Sequence, residues 1–155
     1  LQGIYSEGFG MIKTALTDLI GIRHPILQGG MAWVSTWELV VAVCEAGGLG
    51  IIGAGNAPID HVREQVRQVR TRAKGPFGLN VPLFSPTVED IVNLCIEERV
   101  PILTTGSGNP APLIPRLKDA GVMVIPVVSS VALAKRLEHV GADALIAEVD
   151  VMGVD

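Results

Sequence analysis

The stretch "VMVIPVVSSVALAKRLEHVGADALIAE", Val122 to Glu148, contains one complete structural repeat and decides the fold. Val122–Val127 is a short, almost continuously apolar strand, and Ser129 and Ser130 end it. Ala134, Leu137 and Val140 then recur at helical spacing. Gly141 stands where that helix should stop, in the position that favours a left-handed residue. A second apolar strand follows at Ala144–Glu148. Short loops joining strand to helix to strand imply right-handed parallel crossovers.

The same unit recurs from His24 onward. Its earlier strands are expected at Pro25–Gln28, Leu49–Gly53, Phe77–Val81 and Ile102–Thr105. Val62, Val66 and Val69 mark the face of one intervening helix. Ile91, Val92, Cys95 and Ile96 mark another. Ser35-Thr36-Trp37-Glu38 reads as a capping box, in which Ser35 and Glu38 satisfy each other's free amides. Ser85-Pro86 reads as an N-cap followed by proline at the first helical position. Gly47 and Gly121 are expected at helix ends, like Gly141.

Two architectures accommodate this alternation, an open doubly wound sheet and a (β/α)8 barrel. A doubly wound sheet gathers its site where the strand order reverses, whereas a barrel uses the carboxyl ends of all its strands. Here five successive strands end in small or polar clusters, "QGGM", "GAGN", "NVPL", "TTGSGNP" and "VVSS". The fold class is therefore α/β, of the (β/α)8 TIM-barrel type. A whole barrel needs eight strands and about 250 residues. The 155 residues hold six strands and five helices, so the barrel is expected to be truncated after about six strands.

Composition agrees. The chain is 48% hydrophobic with only 4% aromatic residues, and its mean hydropathy is +0.45. Such Val-, Ile-, Leu- and Ala-rich strands suit a parallel sheet buried on both faces. The net charge of −4 argues against a nucleic-acid partner. No apolar run reaches the roughly 18 residues of a membrane span, and no signal peptide is recognised, so no membrane partner and a cytoplasmic location are expected. Cys44 and Cys95 lie on apolar helical faces and are expected to be buried free thiols. Residues 1–10 precede the first methionine, lack periodicity, and are expected to be a leader of artificial origin.

The chemistry-bearing positions are sparse. Gly29 and Gly30 follow a buried strand and let backbone approach a ligand, with Met31 expected over the barrel mouth. "GIIGAGNAP", Gly50 to Pro58, is not a dinucleotide fingerprint, since no helix and distant acid follow it in register. Asn80 interrupts an apolar strand, so its amide must either tether backbone or hydrogen-bond a ligand. "TTGSGNP" and the pair Ser129 and Ser130 place hydroxyls at two more strand ends. His24, His61 and His139 fall before a strand or on helices, away from the catalytic rim. There is no Walker A loop, zinc-type spacing or nucleophile elbow, and no metal is expected. A neutral, glycine-rich rim suits a flat cofactor that brings its own reactivity.

Five blocks carry a resemblance to one family: "HPILQGGMAWVS", "AGGLGIIGAGNAP", "PFGLNVPLFSP", "TTGSGNP" and "VIPVVSSVALAKRLEHVGADALIAE". In order and spacing they resemble the amino-terminal part of the nitronate monooxygenases (2-nitropropane dioxygenases) and the FMN-dependent enoyl-acyl-carrier-protein reductases of the FabK type. The resemblance runs from about Met11 to Glu148, and "VEDIVNLCIEE" with "GIIGAGNAP" leans to the reductase branch. It implies an FMN-dependent oxidoreductase whose flavin sits at the carboxyl rim of the barrel. The substrate would be a small nitronate or an enoyl thioester, with NADH or NADPH in the reductase branch; a homo-oligomer is expected separately, from the open strand edges of the partial barrel. It assigns cofactor contact to Gly30, Met31 and Asn80, then to Gly106 and Ser107 at a neighbouring strand end, and to Ser129 and Ser130.

The domain so defined is residues 11–148, a partial barrel of the FMN-binding type. Residues 149–155 depart from the family, in which the sequence after the alanine–glutamate pair runs roughly "AEGxEAGGH". Aligned without gaps, Asp155 falls where the family histidine would stand, so no catalytic residue is assigned. The tail reads as a truncation, a frame-shifted end or an artificial junction. A second expectation follows, that of a catalytically inactive barrel fragment that assembles through open strand edges.

Overall fold

A computed structural model of the chain describes residues 12–148. The leader at 1–10 and the tail at 149–155, Asp155 included, lie outside the described residues.

The elements alternate as the sequence requires. In order they are α1 (Ala15–Ile20), β1 (Leu27–Gln28), α2 (Trp37–Ala46), β2 (Leu49–Gly53), α3 (Ile59–Arg72), β3 (Phe77–Pro82), α4 (Val88–Glu97), β4 (Ile102–Gly106), α5 (Ile114–Asp119), β5 (Met123–Val128), α6 (Val131–Val140) and β6 (Ile146–Ala147). All strand pairs are parallel and run in sequential order β1 to β6. Six strands in that order, with α2–α6 packed outside, form a half-barrel. No helix among the described residues is long and apolar enough to cross a membrane.

Strand parity splits the apolar residues into two layers. Ile52, Leu79, Val81, Leu103 and Val124 face outward and pack on the helices, where Val62, Val66 and Val69 of α3 meet Ile91 and Val92 of α4. Leu49, Ile51, Ile102 and Ile125 face inward and form a second cluster with Ile20 and Ile22. The inner face is layered by register. Ile51, Gly78, Ile102 and Met123 are neighbours across four strands, and Gly53, Asn80, Thr104 and Ile125 form the next layer toward the carboxyl rim.

Several local expectations change. Helix α1 was not anticipated: six residues give less than two turns of periodicity. It nevertheless carries a true capping box, in which the Thr14 and Thr17 side chains each accept the other's backbone N–H. Its Leu16 and Ile20 pack beneath the inner cluster. The Ser35–Glu38 capping box does not form. Helix α2 begins at Trp37 with Thr36 as N-cap, because Ser35 is drawn into the loop after β1. The Glu38 carboxyl is held below its ordinary range, first by the Thr36 hydroxyl and then by the backbone.

Ser85-Pro86 does not start a helix either. Ser85 opens a turn, accepting from the amide of Thr87, and α4 starts at Val88. The outermost strands β1 and β6 shrink to two residues each, since each is paired on one side only among the described residues. Gly141 ends α6 with φ of 102°, in the left-handed cap position. Cys44 and Cys95 are both buried and unpaired.

Candidate functional site

The carboxyl ends of the strands open onto a cavity of about 630 Å³, within the range of small-molecule sites. Its floor is the inner apolar layer, with Leu27, Ile51, Ile125 and Ile146, and Leu16 reaches it from α1. Its polar features are Gly29, Gly30, Asn80, Thr104, Gly106 and Ser107 along the rim, and among the described residues its one charged residue is Glu148. None of the three histidines lies on its wall. Among the described residues no three His, Cys, Asp or Glu side chains gather as metal ligands.

The first rim segment is built on close backbone approach. A Cβ on Gly30 would lie 2.5 Å from the Cβ of Asn80, and a Cβ on Gly53 would lie 2.5 Å from the Met31 carbonyl. The Gly29–Met31 segment therefore crosses directly over the end of β2 and beside the Asn80 side chain. Ser35 holds it there: its Oγ accepts from the Met31 amide at 2.9 Å and from Gln28 Nε2 at 2.8 Å, and donates to the Gly29 carbonyl at 3.2 Å. Ser35 is only 3% exposed, so these bonds are shielded from water. Gln28 also bridges to β2, where Nε2 meets the Ile51 carbonyl at 3.3 Å.

Asn80 is the one amide of the inner layer. Its backbone pairs with Gly53 on one side and Thr104 on the other, and its Oδ1 accepts from the Thr104 hydroxyl at 2.9 Å. Its Nδ2 has no protein partner among the described residues, and the residue lines the cavity. The next strand end carries Gly106, where a Cβ would meet nothing within 4 Å, and Ser107, at the unusual φ of 56° for a residue with a side chain.

The remaining positions named from the sequence are placed differently. Met31 contributes its backbone to the crossing over Gly53, while the residue is 45% exposed and does not form the cavity wall. Ser129 and Ser130 are exposed; Ser130 caps α6, accepting from the Leu133 amide. At that strand end the wall is Val127, with Ile146 of β6 beside it. Sequence reading missed Ser35 and Gln28, placed Gly29 correctly beside Gly30, and named Thr104 only as part of the hydroxyl-bearing TTGSGNP strand end. For Thr104 a signal existed: it occupies the inward-facing parity of its strand, a position that apolar residues fill elsewhere.

The arrangement can hold a flat, neutral, largely apolar group against glycine backbone, with one amide donor aimed at its edge. Among the described residues the cavity wall offers no cation to a charged group.

Comparison with known proteins bears on the same segment. The family model described as nitronate monooxygenase matches residues 13–153. A 5-hydroxy-7a-methyl-1-oxo-octahydroindene-4-carboxyl-CoA dehydrogenase of Mycobacterium tuberculosis is 37% identical over 137 residues, covering 88% of this chain and 39% of the relative. A nitronate monooxygenase of Paraburkholderia phytofirmans is 30% identical over 175 residues, covering 88% and 48%. Among solved structures, FabK of Thermotoga maritima superposes with a TM-score of 0.86 at 51% identity, over 88% of this chain and 44% of that one. A nitroalkane oxidase of Streptomyces ansochromogenes gives 0.74 at 28% identity, over 87% and 48%. The chain thus spans less than half the length of each of these proteins.

Proposed function

The chain belongs to the nitronate monooxygenase family, and from that premise we propose that it carries the ring-binding rim of an FMN-dependent oxidoreductase. The observation that carries the reading is the cradle at Gly30. Its Cα lies so close to Asn80 that any Cβ would collide, while the Asn80 Nδ2 remains free beside it. A planar ring with hydrogen-bond acceptors on its edge fits that geometry, and the apolar floor of Leu27, Ile51 and Ile125 suits its face. Gly30 and Asn80 would hold the ring, with Gly106 and Ser107 bordering it. Met31 would contribute backbone. When bound, the flavin supplies reversible two-electron chemistry.

The substrate class we assign first is an α,β-unsaturated acyl thioester, reduced with NADH or NADPH. In that reaction the carbon–carbon double bond takes up a hydride equivalent and a proton while the nicotinamide is oxidised. The 51% identity to FabK supports this branch, as does a relative named for a carboxyl-CoA compound. Oxidation of a nitronate is the second reading, supported by the family match and by the nitronate monooxygenase of Paraburkholderia phytofirmans.

The site residues of this chain bind and orient; among the described residues, none of the cavity-lining side chains is a histidine or lysine that could act as a proton donor near neutral pH. We assign a homo-oligomeric assembly to the same reading. It is supported by β1 and β6, each paired on one side only among the described residues.

Titration with FMN, followed by flavin fluorescence, tests the cofactor. Steady-state assays with an enoyl thioester plus NADH or NADPH, and separately with an alkyl nitronate plus oxygen, test the substrate. Saturable one-to-one FMN binding is expected, and any turnover should be of the thioester rather than the nitronate. Failure to bind FMN would overturn the proposal, and turnover of the nitronate alone would reassign the substrate.

A further inference from the structure

We infer that Thr104 is a positioning residue that fixes which end of the Asn80 carboxamide faces the ligand, and so makes the site selective for a group presenting a hydrogen-bond acceptor. This rests on the proposed flavin site for its ligand, but the claim about the side chains stands in the free protein as well.

The Asn80 side chain has little freedom. Its Cβ is wedged beneath Gly30, where even a methyl group could not be added. Its backbone is paired on both sides, and its carbonyl accepts from the Ala54 amide at 3.1 Å. What remains is rotation about the terminal torsion, which exchanges the amide oxygen for the amide nitrogen. The two ends are opposite in hydrogen-bonding character but nearly equal in size.

Thr104 distinguishes them. It lies directly opposite Asn80 in the parallel ladder and is 2% exposed. Its hydroxyl proton has one acceptor among the described residues, the Asn80 Oδ1 at 2.9 Å. If the amide turned over, Nδ2 could donate to the hydroxyl oxygen, but the buried hydroxyl proton would then lose its acceptor. A buried donor without a partner is costly, so the amide is held with Oδ1 toward Thr104 and Nδ2 left on the side of the cavity. The site then attracts an acceptor atom, such as a ring carbonyl or imine nitrogen, and disfavours a donor in the same place.

The experiment compares Thr104→Val, which keeps the shape and removes the hydroxyl, with Thr104→Ser, which keeps the hydroxyl. The first readout needs no ligand: nitrogen-15 relaxation of the Asn80 side-chain amide. We expect an ordered amide in the wild type and Thr104→Ser, and a mobile one in Thr104→Val. The second readout is FMN affinity, expected to fall by about tenfold in Thr104→Val and to recover in Thr104→Ser. A stability change alone would not produce that pattern. If the Thr104→Val amide is as ordered as the wild type, or if FMN affinity is unchanged by the substitution, the inference is wrong. If the wild type binds no FMN, the flavin reading falls, and the relaxation data alone decide the role of Thr104.

Discussion

Replacing Gly30 with alanine tests the packing on which the site depends. The added Cβ would lie 2.5 Å from the Asn80 Cβ and 3.2 Å from the Ile52 carbonyl oxygen, where ordinary contacts run from 3.4 to 4 Å. A retreat of about 1 Å is therefore required of one partner, on a steep repulsive wall. Asn80 cannot supply it, because its strand is paired on both sides. The Gly29–Met31 segment must move instead, and it is held by Ser35 through the Met31 amide at 2.9 Å and the Gly29 carbonyl at 3.2 Å. Overpacking costs ~1–3 kcal/mol, and losing one of those two buried bonds adds ~1 kcal/mol. The expected destabilisation of Gly30→Ala is about 2–4 kcal/mol. Urea unfolding monitored by circular dichroism measures it. Gly106→Ala is the control: on the same rim, its Cβ meets nothing within 4 Å. Its unfolding free energy should stay within about 0.5 kcal/mol of wild type, while the new methyl intrudes on the cavity and weakens flavin binding. A Gly30→Ala protein as stable as the control would refute the close approach, and with it the cradle.

Asn80→Ala should weaken FMN binding by about 1–3 kcal/mol, the cost of an unsatisfied polar contact; if the melting temperature drops but the affinity does not, the amide tethers structure only. Glu98 receives Arg63, Arg67 and Arg70 at 2.9–3.1 Å. Burial pushes its carboxyl up, but the bonds from Arg63 and Arg67 outweigh this and hold it below the usual range. Its contribution is therefore complete above the unfolded value near 4.3 and is lost as pH falls through the lower folded value. The arginine side chains keep 27%, 58% and 42% of their surface in water, so screening limits the loss in Glu98→Gln to ~1–2 kcal/mol at pH 7. That difference should shrink as the pH is lowered below the unfolded value, and a difference independent of pH would refute the ion-pair account. The Cys95 thiol is fully buried, which pushes it up to about 12, and burial also raises Cys44. Neither should react with an aromatic disulfide reagent at pH 8 until the chain is unfolded; rapid labelling of the native protein would contradict their burial.

The sequence alone determined the strand–helix alternation, because each element carries its own period. Strand Leu49–Gly53 is apolar throughout, and Val62, Val66 and Val69 return every three to four residues, so neither needs a tertiary partner to be recognised. Strand ends decorated with glycine, serine and asparagine pointed to the carboxyl rim for the same local reason. Tertiary structure decided everything that depends on residues far apart in the chain. Ser35 looked like a helix cap within its own heptad, yet the crossing of Gly29–Met31 over Gly53 offered it better buried partners, and the cap passed to Thr36. Helix α1 was too short to announce itself, but the floor of the half-barrel gives Leu16 and Ile20 a surface to bury against. Asn80 and Thr104 are 24 residues apart. Only the parallel register places them side by side, and only that contact determines which end of the amide the cavity meets.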